Sequence, residues 1–324
     1  MVACLIRGIA MKVGVPKGLL YHKYAPFWTT FLSEIGCEVV ESPDTNRPIL
    51  ERGLTLAESE ICLPVKCYYG HVAALANTCD AIFVPRVVAV ENRAYTCPKF
   101  LGLPDMLKAT FDGVEFIFPE LNMRKGWRYY YRSYLQAAQQ LGASTSRALE
   151  AILKAERAQR ARDTSLAREG EAARSRKDGI TIGIAGHAYN VFDSFLSLGL
   201  LEKLERLSAT VLTPENVPVR LWQKYSARLP KHLFWTYERE LIGSALYWLE
   251  NKLVDGLIYV MSFACGPDSI VQYVLEDEAH EYNIPIMPIV LDEHSGEAGL
   301  QTRVEAFVDM ITRKKRHAVA RRTV

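Results

Sequence analysis

Three cysteines have the types and neighbours for ligation chemistry. Cys62, Cys97 and Cys265 stand in Ile61-Cys62-Leu63-Pro64-Val65-Lys66, Tyr95-Thr96-Cys97-Pro98-Lys99 and Phe263-Ala264-Cys265-Gly266-Pro267-Asp268. Each lies beside proline or glycine, where backbone N–H groups can point at an anion or sulfide instead of closing a ladder. Thiolates gathered in this way from distant parts of a fold hold iron–sulfur clusters. Three of them leave one iron of a cubane without a cysteine, and such an iron can do chemistry. Cys67 follows Cys62 by five residues and is expected within the helix after it, as a spare thiol rather than the alternative, a fourth ligand. Zinc competes for thiolates, but the paired short knuckles of common structural zinc sites are missing.

Cys265 is the strongest of these positions. A strand-to-helix turn is expected there, with Asp268 and Ser269 in the first helical turn, so a thiolate gains from the positive helix end. Taken alone, Cys265 reads as a buried cysteine at a strand end, whereas the polarity, proline and glycine around Cys97 suit an exposed ligand more than core packing. Two further segments carry acid/base groups. Gly183-Ile184-Ala185-Gly186-His187-Ala188-Tyr189-Asn190 follows a strand and could cradle a phosphate, with His187 and Tyr189 as proton donors; the competing role is turn formation by Asn190 and Asp193. Asp292-Glu293-His294 follows another strand, and Glu293 and His294 could hold or protonate a substrate. His71 reads as a packed or surface histidine. The dinucleotide fingerprint is incomplete, and neither GxxxxGK[ST] nor GxSxG occurs, which argues against nucleotide hydrolysis and a serine hydrolase.

The elements that must position these residues alternate. Strands are expected over 11–16, 37–41, 81–85 and 114–118, with helices over 24–35 and 63–76 between them. A second alternation has strands over 181–185, 209–212, 256–261 and 285–291, with helices over 192–204, 237–253, 270–281 and 300–313. This pattern predicts an α/β fold: two Rossmann-like domains with parallel sheets, over 11–125 and 179–315. Ligands in such sheets bind beyond the carboxyl ends of the strands, so the cysteine motifs are expected to face one cleft between the domains. Residues 126–178 are rich in Ala, Arg, Glu and Gln and read as a helical linker whose arginines form a solvated face. Cys37 and Cys79 are expected as small buried hydrophobes.

The 324 residues are 49% hydrophobic and 23% charged, with a formal net charge of +2. That composition supports two globular domains and points to neither a nucleic-acid binder nor a membrane protein. Seven cysteines without a signal-peptide pattern suit a cytoplasmic protein with reduced thiols. Met11 opens the first strand, so the ten residues before it are expected to precede the fold, Cys4 among them.

The chain resembles a known group. The match runs from Val13-Gly14-Val15-Pro16-Lys17-Gly18 through Glu60 to Lys66, Gly70-His71, Pro85-Arg86, Cys97-Pro98-Lys99 and Gly102-Leu103-Pro104-Asp105. It continues with Gly186-His187-Ala188-Tyr189-Asn190, Cys265-Gly266-Pro267-Asp268-Ser269, Glu293 to Gly299 and Thr302 to Phe307. This is similar to the small stand-alone proteins related to 2-hydroxyacyl-CoA dehydratases and their activases. The wider group includes benzoyl-CoA reductase subunits and double-cubane cluster proteins. The resemblance implies a [4Fe-4S] cluster between two α/β domains, with Cys62, Cys97 and Cys265 as ligands, or a double-cubane [8Fe-9S] cluster. It also implies an ATP-hydrolysing activase partner with its own cluster, delivering low-potential electrons for reduction or dehydration of a small substrate, and hence oxygen sensitivity. A homodimer is expected from the base rate for such folds. Two alternatives stay open: a non-catalytic cluster-bearing electron carrier or scaffold, and an α/β ligand-binding protein with structural cysteines.

Overall fold

The computed structural model describes residues 10–175 and 179–320. The readings of Cys4 and of the first residues, and the end of the expected linker at 176–178, lie outside the described residues. The chain divides into two compact units. One comprises 1–162 with 234–236, the other 163–233 with 237–324.

Unit 1 is built on a four-stranded parallel sheet in the order β2-β1-β3-β5, formed by β1 (Lys12–Val15), β2 (Glu38–Glu41), β3 (Ala81–Phe83) and β5 (Phe116–Ile117). Val13 sits in the middle, opposite Val39 on one side and Ala81 on the other. Val13 and Val15 are fully buried, as a central parallel strand covered on both faces requires. A second, two-stranded parallel sheet pairs β4 (Arg86–Ala89) with β6 (Glu120–Asn122); both strands are too short to give a sequence signal. Helix α1 (Tyr21–Glu34) buries Phe27, Trp28, Phe31 and Leu32. Helix α2 (Arg47–Leu56) starts on Asn46, whose side chain accepts the Ile49 N–H, and packs along α3 (Leu63–Leu75). Helix α4 (Pro98–Thr110) follows β4.

The expected linker is not a separate element. Helix α5 (Trp127–Gln140) buries Tyr130, Tyr134, Ala137 and Ala138, and the Tyr134 ring meets Phe27 and Phe31 edge-on at 5.2 and 5.3 Å. It therefore belongs to the core of unit 1. Helix α6 (Thr145–Ser175) begins in unit 1 and ends in unit 2. Its arginines are not only a solvated face: Arg162 donates to the His22 carbonyl at 2.8 Å and Arg174 to the Tyr247 hydroxyl at 3.1 Å.

Unit 2 has a four-stranded parallel sheet in the order β10-β9-β7-β8. Its strands are β7 (Ile180–Gly186), β8 (Ala209–Leu212), β9 (Gly256–Ser262) and β10 (Ile286–Leu291). Every residue of β9 is buried. The sheet thus forms the α/β architecture expected from the strand and helix alternation. The helix expected over 192–204 is broken. A short α7 (Ala188–Val191) precedes a turn, and α8 (Leu200–Arg206) starts only after it. Leu198 and Gly199 both have positive φ, 54° and 67°, and the Asp193 carboxylate caps the N–H groups of Phe195 and Leu196, so the turn interrupts a stretch whose composition is helical. The remaining helices are α9 (Val219–Ser226), α10 (Thr236–Glu250), α11 (Gly266–Glu281) and α12 (Glu297–Ala320). Trp248 of α10 is completely buried. Its ring lies so close to β7 that a Cβ on Gly183 would come within 2.8 Å of it. Gly186 is likewise in the strand, pressed by Val191 and Val260. These two glycines serve packing; they do not form an open phosphate-binding loop.

Among the described residues, no helix is long and apolar enough to cross a membrane.

Candidate functional site

The three cysteines share one local structure. Cys62 precedes α3, Cys97 precedes α4 and Cys265 precedes α11, each in the N-cap position and each with proline in the first turn. Proline fits there because its missing N–H is one that a helix start leaves unpaired, and its fixed φ suits the helix. Serine, threonine, aspartate or asparagine would normally bond the first-turn N–H groups; at these three starts no side chain caps them. Each thiol thus stands beside the positive end of its helix. All three cysteines are partly exposed, whereas Cys67 is buried within α3. Cys37 and Cys79 are half-buried rather than enclosed, and burial pushes the Cys37 thiol up to about 11, away from the thiolate form a ligand needs.

Cys62 and Cys97 belong to unit 1 and Cys265 to unit 2. Each is held by its own surroundings. The Cys97 loop is tied down by Thr96, whose N–H bonds the Val88 carbonyl at 2.9 Å and whose hydroxyl bonds Val87. Tyr95 pairs with the 234–236 segment, and its ring stacks on Phe234 at 5.2 Å. Helix α4 is locked to β4 by a two-pronged ion pair of Arg86 with Asp105, at 2.7 and 2.8 Å; the same guanidinium donates to the Leu101 carbonyl at 2.6 Å. The fork joins two sequence segments nineteen residues apart. Cys265 follows Ala264, which holds a positive φ of 65°. That conformation is costly for a residue with a Cβ and persists only where the surroundings impose it.

His71 has a structural role. It is fully buried, and its ring nitrogens meet the hydroxyls of Ser42 at 2.8 Å and Thr45 at 3.0 Å. Burial, reinforced by the charges of His22 and Lys17, holds its imidazole down at about 4. The unfolded chain titrates this group near 6.5. As pH falls through about 6.5 towards 4, the unfolded state takes up a proton that the folded state refuses. Stability therefore drops in that window, by about 3 kcal/mol from this group. The expected result is that His71→Gln loses less urea resistance between pH 7 and pH 4.5 than the parent; identical losses would refute the assignment.

In unit 2, His187 lies at the carboxyl end of β7 as the N-cap of α7. Its Nε2 is 3.0 Å from Asp268 Oδ1 and 3.8 Å from Glu238 Oε1. Asp268 is in the first turn of α11 and Glu238 in the first turn of α10. Tyr189 stacks on the imidazole at 5.0 Å. The Tyr259 hydroxyl donates to the Asp268 carbonyl at 2.8 Å, and Ser262 donates to Asn190 Oδ1 at 2.8 Å. Burial pulls the imidazole down, but Asp268, Glu238 and Glu240 outweigh it and raise His187 to about 9. Burial lifts Glu238 to about 7. The sequence singled out His187 and Tyr189 but not Glu238 or Asp268 as their companions. The available signal was position alone: both acids fall just inside helix starts at the carboxyl edge of the sheet.

The Asp292-Glu293-His294 segment is arranged differently. Asp292 Oδ1 accepts the His294 N–H at 2.9 Å and the Ser295 hydroxyl at 2.8 Å. The Ser295 hydroxyl beside it, then the backbone N–H of His294, keep this carboxyl below its ordinary range. Asp292 shapes the loop, and His294 is exposed on it.

Unit 1 also contains a cavity of about 280 Å³ under α1 and α5, lined by residues that include Tyr24, Phe27, Trp28, Val87 and Tyr130, with Glu156 at its polar side.

Two family models relate the chain to the 2-hydroxyacyl-CoA dehydratase and activase group. Residues 12–217 match the family described as CoA enzyme activase uncharacterised domain (DUF2229), and the chain belongs to that family. Residues 205–311 match the 2-hydroxyglutaryl-CoA dehydratase D-component. No curated protein matches. Among solved structures, the chain is 14% identical to the SBP FpvC of P. aeruginosa in complex with Ni2+, covering 94% of this chain and 98% of that one at a TM-score of 0.27. ZnuA is 13% identical, with 93% and 98% covered at a TM-score of 0.24. At such TM-scores neither likeness bears on function.

Proposed function

We propose that this chain is a cytoplasmic iron–sulfur protein of the dehydratase and activase group, with Cys62, Cys97 and Cys265 holding one [4Fe-4S] cluster. The observation that supports this reading is the shared N-cap placement of the three cysteines, each with proline in the first turn and no capping side chain. The donor set fits: three thiols at positive helix ends are suited to an anionic thiolate-bound group. When bound, such a cluster supplies one-electron chemistry at an iron without a cysteine. An ATP-hydrolysing activase is the electron donor in this reading, a small molecule is the substrate, and the chain acts as a homodimer. Glu293 and the exposed His294 hold and protonate the substrate. Tyr189 orients His187 by stacking, and His187 is enclosed among carboxylates.

Anaerobic reconstitution with iron and sulfide tests the reading. The expected product contains about four iron and four sulfide per chain, bleaches on low-potential reduction and decays in air. No bound iron after reconstitution would favour an α/β ligand-binding protein with structural cysteines. A cluster that cycles without any substrate turnover would favour an electron carrier.

A further inference from the structure

The His187, Glu238 and Asp268 cluster in unit 2 keeps buried carboxylate oxygens that no protein hydrogen bond satisfies. One ligand atom from each lies within 4.8 Å of the others. The side chains are 5%, 2% and 0% exposed. Glu238 Oε2 and Asp268 Oδ2 are shielded from water and accept no hydrogen bond from any described residue, while Asp268 Oδ1 faces only His187 Nε2, at 3.0 Å. Each buried orphan acceptor costs about 1–3 kcal/mol, and more when charged. With both carboxylates ionised, one imidazole does not balance the group's charge, which is expensive away from water. Native interiors rarely keep such atoms unpaired, and an ion is one of the standard resolutions.

The surroundings hold these groups in place. Glu238 and Asp268 are fixed in the first turns of α10 and α11. The Tyr189 ring stacks on His187 at 5.0 Å and Tyr237 meets it edge-on at 6.5 Å, fixing the imidazole plane. Tyr259 pins the backbone at Asp268. Supports of this kind orient metal ligands.

We infer that His187, Glu238 and Asp268 bind one divalent first-row transition-metal ion buried in unit 2. The ion neutralises both carboxylates and takes the imidazole lone pair. One nitrogen and carboxylate oxygens, without sulfur, suit zinc, manganese or ferrous iron. The site uses none of the cysteines and does not depend on the cluster reading. Enclosed as it is, its role is to hold the ends of β7, α10 and α11 together.

The test uses the full chain, prepared cluster-free with its accessible thiols alkylated, stripped with a chelator, and titrated with zinc, manganese or cobalt. One equivalent of cobalt is expected to bind with weak d–d absorption and without intense sulfur-to-metal charge-transfer bands. Zinc or manganese is expected to raise Tm. In Glu238→Gln and Asp268→Asn the cobalt affinity is expected to fall more than about 100-fold, beyond the loss usual for supporting residues. Both variants keep the side-chain shape and remove a buried charge, so their metal-free Tm should equal or exceed the parent's. That comparison separates lost binding from lost folding. An unmoved parent Tm, variants that bind cobalt like the parent, or sulfur charge-transfer bands would each overturn the assignment.

Discussion

Gly70→Ala is expected to cost more than about 3 kcal/mol and to reduce cluster loading even though every cysteine is intact. Helices α2 and α3 cross with their backbones in contact. A Cβ on Gly70 would land on the Ile49 carbonyl oxygen and within 2.8 Å of its carbon, and a Cβ on Gly53 would land on the Lys66 carbonyl. These obstacles are main chain, so no rotamer change relieves them, and the helices must separate. Overpacking in ordinary cores costs about 1–3 kcal/mol because side chains yield; here nothing yields without loss of the interface. Cys62 stands at the start of α3, so a displaced α3 misplaces that thiol. The two glycines guard the same crossing, so Gly53→Ala in the Gly70→Ala background should cost much less than it does alone. Denaturant midpoints for the two single variants and the pair give the answer. Full additivity, or a Gly70→Ala midpoint equal to the parent's, would show that the crossing is not as tight as described.

Cys265→Ala is expected to take anaerobically reconstituted iron from about four per chain to near zero, while Cys67→Ala leaves it close to the parent value. Cys265 is partly exposed at a helix start; Cys67 is buried within α3. Removing one of three thiolates leaves too few attachments, whereas truncating Cys67 removes only a small buried side chain and costs stability of about 1 kcal/mol. Cys62→Ala and Cys97→Ala should behave as Cys265→Ala does. Iron retained in Cys265→Ala but lost in Cys67→Ala would move the ligand set into unit 1 and sink the three-motif assignment. Eight iron per chain in the parent would point instead to a double cubane.

Much of this was legible in the residues because it is local. Apolar runs such as Gly256 to Met261 announce buried parallel strands, and Cys-Leu-Pro or Cys-Gly-Pro announces a helix start with a thiol before it. The helix starts after Cys62 and Cys265 follow from a few neighbouring residues each, since proline position and helix initiation are matters of one turn; the helix after Cys97, Pro98–Thr110, is not legible in its polar loop. The short strands β4 and β6 gave no periodicity to read. The helix expected over 192–204 failed because Leu198 and Gly199 adopt left-handed backbone, which composition does not disclose.

The sequence by itself determined the alternating α/β architecture, the helix starts after Cys62 and Cys265, and the family. Only the tertiary structure decided that α5 belongs to a core rather than a linker, that Arg86 grips Asp105, and that Gly53 and Gly70 let two helices touch. It alone brought Glu238 and Asp268 to His187, three residues separated by long stretches of chain. The reason is physical: caps and strands are specified by neighbours along the chain, whereas close backbone approach, ion pairing and shared burial depend on which distant surfaces meet.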